Sequence, residues 1–102
     1  MKTYPINNKK HLVVNLQEKA NFAQEKENAK KWIAERAERL GMTDTNGTLK
    51  AGDVVSFLSG YNNDIRYTTE IVAFDKDGLA YLVWDCWWVG IDLTERKYRL
   101  TK

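Results

Sequence analysis

The sequence predicts an α+β fold: one long N-terminal helix packed on a five-stranded antiparallel small barrel. Three observations carry this. An apolar repeat of helical spacing runs through residues 22–40, short β-rich runs fill residues 53–100, and the strongest hairpin signal, Asp77-Gly78, lies between two of those runs. The 102 residues suit a single domain. Its expected parts are an arm or edge strand over 1–14, a helix over 15–41, a linker over 42–51 and the barrel over 52–100. The charged fraction of 29% is ordinary and argues against global disorder.

Two capping signatures compete for the helix start, Asn15-Leu16-Gln17-Glu18 and Asn21-Phe22-Ala23-Gln24, each with Asn three residues before Glu or Gln. The helix should run from one of them to Leu40, where Gly41 supplies a left-handed stop. Phe22, Ala29, Ile33, Ala37 and Leu40 form one face, with Trp32 beside it as a cap on the core. Glu27, Lys31, Glu35 and Arg39 make an i,i+4 ladder of alternating sign, which marks an exposed face. Upstream, His11-Leu12-Val13-Val14 is too short for periodicity to separate an edge strand from a first helical segment.

Beyond the turn signal Asn46-Gly47-Thr48, five strands are expected. They are Asp53–Leu58, Arg66–Phe74, Leu79–Trp84, Trp88–Leu93 and Lys97–Leu100, with Tyr61–Asp64 as a loop. Gly90 marks a bend or a close backbone approach. Closing these strands into a barrel would remove the open edges of a free hairpin stack.

The order Gly52-Asp53-Val54-Val55, a polar loop, Tyr67–Asp75, the Asp77-Gly78 turn and Leu79–Asp85 resembles the SH3-like and Tudor-like small barrels over residues 52–100. The resemblance implies a binding module for peptides, modified side chains or nucleic acid. Tudor-type barrels carry an aromatic pair after the first strand; Ser59-Gly60-Tyr61 stands there instead, a departure that counts against a methyl-lysine cage.

The densest feature is Trp84-Asp85-Cys86-Trp87-Trp88. Adjacent strand residues point to opposite faces, so without a bulge Trp87 and Trp88 cannot share one small core. The one left outside would be a typical interface anchor. The expected protein-binding surface is therefore Tyr61, Tyr67, Trp84, Asp85, Trp87 and Trp88, and the expected partner is another protein. Many small, motif-poor proteins of phages and mobile elements bind host machinery in this way. The alternative is single-stranded nucleic-acid binding, with Tyr61, Tyr67 and Trp87 stacking on bases and Arg66, Arg96, Lys97 and Arg99 meeting phosphates. Charge weighs against it: residues 43–102 hold seven basic and nine acidic side chains.

No catalytic, cofactor or metal set emerges. One Cys and one His make neither a disulfide nor a zinc site. Nothing in the sequence brings Cys86 to His11. Asp75 and Asp77 begin like a calcium loop, but Leu79 and Cys86 occupy its later ligand positions, so both read as turn residues. Asp85 and Asp92 lack a cleft in which to work as an acid–base pair. Walker and GxGxxG motifs are absent. Residues 1–10 hold no apolar run of signal-peptide length, and no stretch nears the roughly 18 apolar residues of a membrane span. A reducing cytoplasm is the expected compartment.

Overall fold

The structure, a computed structural model, describes residues 12–58, 65–83 and 89–101. Strands β1 (Leu12–Asn15), β2 (Val54–Leu58), β3 (Ile65–Phe74), β4 (Ala80–Leu82) and β5 (Arg99–Leu100) form one mixed sheet, and the described residues hold one α-helix, α1 (Phe22–Leu40). The strand order is β1-β3-β2-β5, and β4 also pairs with β3.

Both Asn residues stand at helix starts, but only Asn15 caps with its side chain; Asn21 makes no side-chain capping bond. Asn15 caps a 3-10 turn, Leu16–Glu18, its side chain accepting from the Gln17 N–H at 3.0 Å. Asn21 then opens α1. At the far end Gly41 adopts a left-handed conformation (φ 66°), and the N–H groups of Gly41 and Met42 close back on Glu38 and Ala37. A Cβ at Gly41 would also lie 2.9 Å from that of Lys76, so this position needs glycine on two counts. Ala29 and Ile33 are buried, while Phe22, Ala37 and Leu40 are half-buried. Glu27, Lys31, Glu35 and Arg39 are all exposed, but the pairs that form are Lys30–Glu27 and Arg36–Glu35 rather than the expected ladder.

The sheet carries apolar residues on both faces. On one, Val55, Phe57, Ile71, Phe74, Ala80 and Leu82 pack with Leu49, Ile91 and Leu93. On the other, Ala73 and Tyr81 meet Ile33 of α1, flanked by Trp32, Leu40, Met42 and Val72. The register slips by one residue between Ile71 and Ala73. This bulge lets Ile71 and Phe74, an odd number of residues apart, enter the same core. The β3–β4 hairpin turns where Asp77-Gly78 predicts, with the Gly78 N–H on the Asp75 carbonyl at 2.9 Å.

The barrel expectation is overturned: the sheet is open, and it is mixed rather than antiparallel. β1 runs parallel to β3 and occupies part of one of its edges. β4 is only three residues long and β5 two. The expected strand Trp88–Leu93 contributes, among its described residues, one bridge between Ile91 and Ala80. Gly90 permits that approach, because a Cβ there would stand 2.7 Å from Leu79 Cβ. Residues 42–51, expected as a linker, are tied into the sheet through Thr43–Phe74 hydrogen bonds and the buried Leu49. No helix among the described residues is long and apolar enough to cross a membrane.

Candidate functional site

Two strands share one edge of β3. β2 takes the opposite edge, where Asp53 and Gly52 bond both polar groups of the Ile71 backbone. β1 pairs with Ile65–Thr68, and β4 pairs from Ile71 onward, with the Val83 N–H reaching the Glu70 carbonyl at 3.0 Å. Between them, at Thr69 and Glu70, the edge changes partner. Thr69 is fully buried there and donates its hydroxyl to the Val83 carbonyl at 2.6 Å.

The chain leaving β1 turns through Leu16–Glu18 and enters α1 beside this break. The result is an open groove of about 400 Å³. Val14, Leu16, Phe22, Tyr67 and Val83 make its apolar lining, and Lys19, Asn21 and Glu25 supply polar groups. Tyr67 is half-buried, its ring tilted against Phe57 at 6.2 Å. β1 ends the strand order, and its Val13 is 62% exposed. Among the described residues, no three His, Cys, Asp or Glu side chains gather to hold a metal.

Of the six residues expected to bind protein, Tyr67 lies in this groove. Tyr61, Trp84, Asp85, Trp87 and Trp88 fall outside the described residues, as do His11 and Cys86. Val83, immediately before Trp84 in the chain, forms part of the groove wall. Val14, Leu16 and Phe22 were not legible as site residues. Their only sequence signal is an apolar residue on each side of two Asn caps.

The basic residues of the nucleic-acid alternative are partly brought together. Arg66 is 7% exposed; its guanidinium donates to Ser56 Oγ at 3.0 Å and to the Lys97 carbonyl at 3.1 Å. Burial, and then repulsion from Arg99, push its pKa below the usual arginine value. Arg99 pairs with Ser56 across β2 and β5, so it stands on the same face. Arg96 is half-buried and gives its carbonyl to the Leu58 N–H, and Lys97 is exposed with a φ of 50°. Tyr67, next to Arg66 on β3, points to the opposite face, toward Phe57. The stacking ring and the buried cation are thus separated by the sheet.

Asp75 serves the hairpin, as a turn residue should. One carboxylate oxygen accepts the N–H groups of Asp77 and Leu79, and the other accepts the Tyr81 hydroxyl at 3.0 Å. Asp92 likewise accepts the N–H groups of Thr94 and Glu95.

Compared with known protein families, curated proteins and solved structures, the chain matches none of them.

Proposed function

We propose that this chain is a non-enzymatic protein-interaction module whose partner places an apolar side chain or short extended segment in the groove between β1, α1 and the end of β4. The observation that carries this is the groove itself: Val14, Leu16, Phe22, Tyr67 and Val83 line it, and Lys19, Asn21 and Glu25 stand among them. An apolar centre with a polar rim is the anatomy of a protein interface. The outer edge of β1 adds a second attraction, since an extended segment can pair there while its side chains enter the groove. The setting we propose is a reducing cytoplasm, in keeping with a single cysteine.

We set single-stranded nucleic-acid binding second, because Tyr67 and Arg66 stand on opposite faces of β3 and do not form one platform.

Selection from a displayed library of random peptides tests the proposal. Peptides with alternating apolar residues should be enriched, and Phe22→Asp and Val14→Lys should each weaken them by about tenfold or more while the far-ultraviolet spectrum is retained. Affinity should change little between low and moderate salt, whereas phosphate-backbone binding would fall steeply. Equal binding to both variants would refute the groove as the site.

A further inference from the structure

Arg66 is a cation removed from water, and every hydrogen bond it makes goes to a neutral oxygen. Its Nε–H is buried with no hydrogen-bond partner. A buried charge is ordinarily met by a counter-charge or a full set of hydrogen bonds. Arg66, Arg96, Lys97 and Arg99 enter none of the ion pairs of the described residues, although Lys26, Lys30, Arg36 and Lys50 all do. Glu70, on the same face of β3, is already held by Lys26 at 2.8 Å.

The Arg66 guanidinium lies over Ser56, and Arg99 stands opposite Ser56 on β5. Arg66 and the exposed Arg99 therefore rise from the same face of the sheet on either side of Ser56 in the register, and the Ser56 and Lys97 contacts fix the first of them in place. We propose that Arg66 and Arg99 form a binding site for a phosphate dianion, either free or carried as a terminal monoester. A carboxylate would neutralise only one of the two charges. A phosphate monoester carries about −1.5 to −2 at neutral pH, with several acceptor oxygens suited to the guanidinium fork. The site lies on the β2–β5 side of the sheet, away from the groove on the β1–β4 edge of β3, so either can fail without the other.

The test is calorimetric titration of the full chain at fixed ionic strength. The probes are inorganic phosphate, adenosine 5′-monophosphate, adenosine, chloride and penta-glutamate. Phosphate and the monophosphate should bind at least about tenfold more tightly than chloride, and adenosine should not bind. Similar affinity for the two phosphates assigns the site to the free group, and tighter binding of the monophosphate assigns it to a nucleotide; either supports the proposal. Arg99→Gln, an exposed change, should weaken both about tenfold without altering the fold. Arg66→Lys should weaken them as well, because a point charge replaces the fork; if that variant does not fold, Arg99→Gln decides alone. Phosphate binding no better than chloride, penta-glutamate binding as well as phosphate, or Arg99→Gln binding like the parent would each overturn the site.

Discussion

The hydroxyl of Tyr81 donates to the carboxylate of Asp75 at 3.0 Å, inside the same hairpin turn whose backbone that carboxylate caps. The bond joins β4 to the loop and places the Tyr81 ring 6.1 Å from Trp32 of α1. Burial, and then the Asp75 hydrogen bond, push the Tyr81 pKa up to about 12.

This gives a pH prediction. Below the usual tyrosine value of 10.0 the phenol is neutral in folded and unfolded chains alike, and its contribution is complete. Above it the unfolded chain ionises while the folded one keeps its proton, so stability falls as pH rises through about 12. The loss is on the order of 2 kcal/mol. Tyr81→Phe should lower stability near neutral pH by about 1–2 kcal/mol and flatten this alkaline decline. Denaturant melts of both proteins across that range check it, and parallel curves would refute it.

Ile33 carries the contact between α1 and the sheet, against Ala73 and Tyr81. Ile33→Ala should destabilise by about 2–4 kcal/mol, the cost of emptying a buried site. A melting temperature within a degree or two of the parent would mean that the helix does not depend on this face.

Gly90 lies where the chain crosses β4, and an added Cβ would sit 2.7 Å from Leu79 Cβ and 3.1 Å from the Tyr81 hydroxyl. Gly90→Ala should therefore cost about 1–3 kcal/mol through overpacking. The loss should shrink when Leu79→Gly is added, because only glycine removes the Leu79 Cβ that stands nearest. Chemical denaturation of the double mutant measures that coupling.

Lys26 and Glu70 link α1 to β3 at 2.8 Å, with the carboxylate the more sheltered of the two. Lys26→Met should destabilise by no more than about 1 kcal/mol. The difference should narrow in high salt, which a melting series in sodium chloride would show.

The parts legible in the sequence are those fixed by local chemistry. The 22–40 helix follows from its apolar face and the left-handed need at Gly41, and the β3–β4 hairpin from Asp77-Gly78. β1 was legible only as one of two readings of His11–Val14, an edge strand or a first helical segment; its parallel partner was not, because parallel pairing arises through a long crossover and leaves no turn signature. The bulge at Val72 was hidden inside a continuous β-rich run. Barrel closure failed as an expectation because the run at 88–93 looked like a strand, whereas among its described residues Gly90 lets the chain approach β4 at one bridge, Ile91 to Ala80. Arg66 looked like a surface cation; only the register that sets it against Ser56 and Lys97 shows that it is buried. The groove was invisible because it depends on β1 and β4 sharing one strand edge. Of its residues, only Tyr67 was expected to bind.

Among the described residues, β3 is the strand that touches β1, β2 and β4, and Phe74 at its end also binds Thr43. The centre of the sheet cannot open while β3 stays paired on both sides, whereas β5, paired with β2 alone, can. Amide hydrogens at Thr69–Ile71 should therefore exchange with solvent only through global unfolding, while the two-residue β5 frays at little cost. β1 lies about fifty residues from its parallel partner, so the last contacts to form are also those that shape the groove. The molecule should thus lose its binding edge first, and its central strand only with everything else.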